Sequence, residues 1–167
     1  AYIFYQLFEQ YVIDHSMASA TGMFNLEKLD WDEEALKLLG ISREQLPKLV
    51  PTSHILTGMK KRYATLMGID ENTPIVVGAS DGVLSNLGVN SYKKGEVAVT
   101  IGTSGAIRTV INKPRTDYKG RIFCYVLDED HYVIGGPVNN GGVILRWVRD
   151  ELLGSEVETA TRLGVNP

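Results

Sequence analysis

Ile75-Val76-Val77-Gly78-Ala79-Ser80-Asp81-Gly82 is the stretch on which the fold turns. Three β-branched residues in a row between Pro74 and Gly78 predict a short, buried, central strand. Asp81 follows that strand's carboxyl end, where open α/β sheets gather their ligands, and small neighbours on either side leave room beside its carboxylate. Gly82 to Gly88 then predicts a helix. A strand, a carboxylate and a helix in that order set the class as α/β.

Downstream, Val89 to Gly95 is polar and turn-rich, which predicts a crossing between two lobes with the boundary near Ser91, dividing residues 1–91 from 92–167. Glu96–Ile101 and Ala106–Ile111 are rich in Val, Ile and Thr and read as a β-hairpin. Its connection, Gly102-Thr103-Ser104-Gly105, offers unhindered N–H groups and two hydroxyls in one tight turn, suited to phosphate oxygens. No lysine follows, so this is not a Walker loop; taken alone, such a tetrad is more often an ordinary hairpin turn. Arg121–Leu127 and His131–Ile134 predict a second strand pair across Asp128-Glu129-Asp130. The glycine cluster Gly135 to Gly142 leads into a helix bearing Ile144, Leu145, Trp147 and Val148, and Ser155–Leu163 predicts another. That cluster suits either close approach of a nucleotide or a plain connector with Asn140 as helix cap.

Upstream, Ile3, Leu7 and Tyr11 recur at helical spacing from the first residues, with no capping residue ahead of them, and the other end stops in a turn-forming tetrad. Both ends suggest a piece of a longer protein. Asp30, Glu33 and Gly40 predict a capped helix with Asp30 as N-cap, Ser42 and Gln45 a further helical turn before Pro47, and Lys60 to Met67 a third helix.

Composition narrows the partners. With 17 Lys and Arg against 20 Asp and Glu, the net charge of −3 gives no positive field to gather nucleic acid or anionic membrane. No run is long and apolar enough to span a bilayer. The expectation is a soluble cytoplasmic protein, consistent with a single cysteine, Cys124. His15, His54 and His131 are too scattered to predict a metal site. Trp31 and Trp147 read as core anchors, and Lys60-Lys61-Arg62 as a solvated run. On position alone, Asp81 reads as a cap for the helix that follows it.

The order of these features changes that reading. Asp14-His15-Ser16-Met17-Ala18-Ser19-Ala20-Thr21 resembles the Asp-x-x-x-Ala-Ser-x-Thr segment of the FGGY family of carbohydrate kinases. Leu29-Asp30-Trp31-Asp32, Leu46-Pro47, Gly78-Ala79-Ser80-Asp81-Gly82, Gly102-Thr103-Ser104-Gly105 and Gly142 through Asp150 follow in the family's order. The resemblance covers nearly the whole chain. It implies parts of the two lobes of an actin-like, ribonuclease H-like fold, with 1–91 from the sugar-binding lobe and 92–167 from the nucleotide-binding lobe. It implies phosphorylation of a sugar or sugar acid by ATP with Mg2+. Asp81 would be the general base and, with Gly82, contact the substrate; Gly102, Thr103 and Ser104 would hold ATP phosphates, and Gly142 would lie against the nucleotide.

Asp14 to Thr21 would be structural, with Ser19 in a hydrogen-bonded turn. Arg146 stands where glycerol kinases carry glutamine, and no role is assigned to it. The wording around Asp81, Thr103, Phe123 and Asn139 is most similar to members acting on gluconate, then on xylulose or another pentulose, then on glycerol. Relatives often form homodimers. In such kinases an Asp-x-Gly-Thr phosphate loop and most sugar contacts lie upstream and the adenine pocket downstream, so the isolated segment is expected to be inactive. A non-catalytic sugar- or nucleotide-sensing module of the same fold is the alternative.

Overall fold

The computed structural model describes residues 1–166. The chain begins with α1 (Tyr2–Phe8), then β1 (Val12–Asp14), α2 (His15–Ser19), β2 (Phe24–Asn25), β3 (Asp30–Trp31) and α3 (Glu33–Leu39). A 3-10 turn (Arg43–Gln45) leads to β4 (Lys48–Val50), β5 (Ile55–Leu56), α4 (Lys61–Met67), β6 (Ile75–Val76) and α5 (Asp81–Gly88). The rest comprises β7 (Val97–Ile101), β8 (Gly105–Ile111), β9 (Phe123–Val126), β10 (Tyr132–Val138), α6 (Gly142–Leu152) and α7 (Gly154–Leu163). The α/β expectation holds. No helix among the described residues is long and apolar enough to cross a membrane.

Two predicted hairpin arms become one antiparallel sheet in the order β7-β8-β10-β9. Val97 pairs with Thr109 and Ile101 with Gly105, while β10 runs between β8 and β9 with Val133 opposite both Val110 and Tyr125. Because successive side chains point to opposite faces, this sheet carries two cores. On one face Val83 of α5 meets Val110, Leu127 and Val133. On the other, Cys124, Val126 and Tyr132 meet Phe24, Leu26 and Leu29 from the β2–β3 hairpin. The sheet is thus held between α5 and the segment around α2 and β2, and two side-chain hydrogen bonds tie this together: the Val126 N–H donates to Ser19 Oγ (3.1 Å) and Thr52 Oγ1 donates to the Leu127 carbonyl (2.9 Å).

Several local expectations are corrected. Ile75-Val76-Val77 is not a buried central strand: β6 is two residues long, pairs only with β5, and leaves Val76 55% exposed. Ile75 and Val77 pack on the cluster of Phe8, Val12, Val50, Leu56 and Met59, so the run is covered on one side alone. In α1 the buried stripe is Phe4, Leu7 and Phe8, with Ile3 and Tyr11 exposed; Glu9 turns left-handed and ends the helix before Tyr11. Trp31 is buried and its indole N–H donates to the Pro47 carbonyl (3.2 Å). Trp147 is 54% exposed rather than a core anchor, because no residue of α6 is buried.

The cap of α3 is Asp32, whose Oδ1 accepts the Ala35 N–H (2.9 Å), not Asp30, which sits in β3 and pairs with Arg43 at the surface. Gly40 closes the helix as expected, and the Ser42 N–H donates to Gln45 Oε1 (2.8 Å) in the following turn. Asp32→Ala is expected to cost about 1 kcal/mol. Asp30→Ala, which removes an exposed ion pair, should cost about 0.2–1 kcal/mol. Urea unfolding of the two variants checks the order, and a larger loss for Asp30→Ala would reverse the cap assignment.

Candidate functional site

Asp81 is the first residue of α5 rather than its cap; Ser80 holds the cap position and makes no side-chain cap bond. The Asp81 carboxylate is exposed, and its Oδ1 accepts the N–H of Gly82 (2.6 Å). A carboxylate at N1 is electrostatically favoured by the helix start, and among the described residues that local bond is the one its oxygens make.

What fixes the start of α5 is a residue that the sequence did not single out. Ser16, fully buried on α2, accepts the Ser80 N–H on its Oγ (3.2 Å) across 64 residues. The helix bearing Ser16 is itself capped by Asp14, whose Oδ1 accepts the Met17 N–H (2.8 Å). Burial pushes the Asp14 carboxyl up from its ordinary value, against the pull of its hydrogen bonds to backbone N–H groups. Ser19, one turn on, donates to the Ser16 carbonyl (2.6 Å) while receiving the Val126 N–H, which places it in a hydrogen-bonded turn at half-burial. One short helix therefore anchors both the residue before Asp81 and strand β9. Ser16→Ala leaves the Ser80 N–H without its acceptor at a part-buried site and is expected to cost about 1–3 kcal/mol, with Ser16→Thr, which keeps the hydroxyl but adds a methyl at a fully buried position, recovering part of it. Thermal unfolding of both variants checks this.

The turn Gly102-Thr103-Ser104 is organised by the second glycine cluster. The Gly102 N–H donates to the Ser104 carbonyl (2.8 Å), the Gly142 N–H to the Gly102 carbonyl (2.7 Å), and the Gly141 N–H to the Thr103 carbonyl (2.9 Å). All three carbonyls of the turn are thereby occupied. The N–H groups and hydroxyls of Thr103 and Ser104 donate to no protein acceptor among the described residues, and both side chains are exposed. The turn presents donors outward and retains its acceptors, the polarity an anion requires. Glycine is needed at 141 and 142 for close approach. A methyl on Gly141 would sit 2.7 Å from the Ser104 carbonyl oxygen, and one on Gly142 2.8 Å from that of Gly102. The cap position of α6 is Gly141, so Asn140 does not cap that helix. The amide of Gly142 is committed to the Gly102 carbonyl, so this residue holds the turn in place rather than adding a free donor.

Strand β8 links the two features. The Arg108 guanidinium lies over Gly82: the position of a Cβ on that glycine is 3.6 Å from Nη2 and 3.8 Å from Nε. Arg108 is three residues along β8 from Gly105, about 10 Å at the usual strand rise. The sequence-predicted Asp81, Gly82, Gly102, Thr103, Ser104 and Gly142 are thus carried on neighbouring elements. Ser16 and Arg108 were missed because their partners lie far away in sequence. Among the described residues no cluster of His, Cys, Asp or Glu suits a metal ion.

Residues 1–88 match the model of the FGGY family of carbohydrate kinases, N-terminal domain. The chain is 68% identical over 166 residues to a gluconokinase of Bacillus subtilis, covering 99% of this chain and 32% of that protein. Among solved structures it matches a ligand-bound xylulose kinase from Lactobacillus acidophilus with TM-score 0.87 and 44% identity, covering 93% of this chain and 31% of the other. A gluconate kinase from the same organism matches with TM-score 0.85 and 45% identity, covering 89% and 30%. The chain spans about a third of the length of the relatives it matches. Its helices and strands form part of the actin-like ATPase fold of these sugar kinases. With its N-terminal half matching the family model and its elements superposing on solved sugar kinases, the chain belongs to the FGGY family of carbohydrate kinases.

Proposed function

We propose that this chain is the segment of an ATP-dependent gluconate kinase that carries the general base, Asp81, and part of the phosphate-binding surface. The observation that carries this reading is the combination of an exposed carboxylate at the start of α5 with exposed N–H and hydroxyl groups at Thr103 and Ser104 that no protein acceptor takes among the described residues. The identity of 68% to a gluconokinase supports gluconate over a pentulose or glycerol. ATP, with Mg2+ on its phosphates, would supply the phosphoryl group. Asp81 accepts the proton of the attacking 6-hydroxyl, and Gly82, lacking a side chain, makes room for the Arg108 guanidinium beside it. Thr103 and Ser104 donate to phosphate oxygens, while Gly141 and Gly142 hold the turn from behind. The turn fits the nucleotide's phosphates in one specific respect: its carbonyls are occupied, while the Thr103 and Ser104 N–H groups are not.

The lobe boundary is placed near Ser91, which is buried and takes the end of α5 through its N–H to the Asn86 carbonyl (2.8 Å). The family match ending at residue 88 supports that placement. The reaction belongs in the cytoplasm, where ATP is available. A coupled ATP-consumption assay of a full-length kinase carrying this segment tests the function. The highest kcat/KM is expected with gluconate; preference for xylulose or glycerol, or absence of turnover with all three, would overturn it.

A further inference from the structure

We propose that Arg108 selects a sugar acid over neutral sugars by pairing its guanidinium with the carboxylate of the substrate, beside Asp81; this rests on the gluconate kinase reading above. Arg108 stands half-buried in the middle of β8, and its guanidinium spreads over Gly82, the residue next to the general base. One donor is used inside the protein, with Nη1 donating to Thr100 Oγ1 (3.2 Å), which orients the fork. Among the described residues no Asp or Glu pairs with it, and the other arginines without a carboxylate partner, Arg62, Arg115, Arg146 and Arg162, are exposed.

With one donor held by Thr100 and no carboxylate partner among the described residues, the guanidinium over Gly82 keeps its remaining donors for an anion. Its planar fork matches a carboxylate bidentately, and a neutral polyol hydroxyl satisfies only a fraction of that geometry. Of the two anions present in the proposed reaction, the phosphates have their own donors at Thr103 and Ser104, about 10 Å along the strand. Beside the residue that follows Asp81, the three atoms nearest to a Cβ on Gly82 all belong to the Arg108 guanidinium. Substrate orientation follows: a six-carbon chain with its acid end on Arg108 brings its far hydroxyl to the general base in one sense only, which makes this residue a determinant of both specificity and regiochemistry.

The test uses a full-length kinase carrying this segment, with Arg108→Met and Arg108→Lys. For Arg108→Met the KM for gluconate is expected to rise roughly ten- to hundredfold while the KM for ATP stays within about twofold, the loss of one charge-assisted contact. The preference for gluconate over a neutral hexitol, as a ratio of kcat/KM, should fall by the same factor. Arg108→Lys should recover part of it. Calorimetric titration of the unaltered protein and of Asp81→Asn with gluconate and with the hexitol, without nucleotide, reads binding alone. Both proteins should bind gluconate at least about tenfold more tightly than the hexitol. Equal affinities, an equal loss with both substrates in Arg108→Met, or a rise in the KM for ATP would each overturn the assignment. Retained turnover in Asp81→Asn would instead remove the general-base role and leave the binding result to decide on Arg108.

Discussion

Asp81→Asn in a full-length kinase carrying this segment is expected to lower kcat by roughly a hundredfold to ten-thousandfold, with the KM values for both substrates changed by no more than a few-fold. The amide keeps the shape and the local bond to the Gly82 N–H, so α5 retains its start. What is lost, on the proposed general-base role, is the capacity to take a proton from the attacking hydroxyl. Because the carboxylate is exposed and makes only one local bond, the substitution leaves no buried partner unpaired, and the fold is expected to keep its stability within about 0.5 kcal/mol. Steady-state kinetics alongside a urea unfolding curve separates the two effects. A large stability loss would mean that Asp81 is structural.

The second large effect is expected from the glycine that packs behind the turn. Gly141→Ala would place a methyl 2.7 Å from the Ser104 carbonyl oxygen and 2.9 Å from that of Gly102, contacts with backbone that no side-chain rotation relieves. The turn must move outward or α6 must withdraw, at a cost of about 1–3 kcal/mol. A displacement on the order of 1 Å in groups that hold the phosphates is worth about a hundredfold in rate. The expected outcome is therefore a fall of that size in kcat/KM for ATP with the affinity for the sugar acid little changed. An unaltered kcat/KM for ATP would show that the turn takes no part in nucleotide binding.

The ease with which parts of this molecule were read from its sequence follows the range of the interactions involved. The two strand pairs were legible because runs rich in Val, Ile and Thr bounded by turn residues are a local signal, and β7, β8 and β9 fall where it predicted, while β10 continues past Ile134 through Gly135–Val138 of the glycine cluster. Gly40 and the Ser42–Gln45 turn were legible for the same reason. Asp30 and Asp32 both precede Glu33 closely enough to cap a helix, and only the strand pairing of Asp30 with Asn25 decides between them. The Ile75-Val76-Val77 run shows that continuous apolarity reports residue type and not the number of covered faces. In the site, Asp81 and the glycine turn stood out only through their order along the chain. Ser16 carries no local mark, since its acceptor role exists only once α2 meets Ser80. Arg108 sits among ordinary strand residues, and its direction toward Gly82 is a product of the docking of α5 on the sheet.

A crystal structure of a full-length kinase carrying this segment, soaked with gluconate and a non-hydrolysable ATP analogue with Mg2+, tests the central claim most directly. The 6-hydroxyl of gluconate should lie about 2.6–3.2 Å from an Asp81 carboxylate oxygen. Oxygens of the analogue's phosphates should lie about 2.7–3.2 Å from the amide nitrogens of Thr103 and Ser104. Phosphates bound away from that turn, with Asp81 facing open solvent on the other side of α5, would contradict the account.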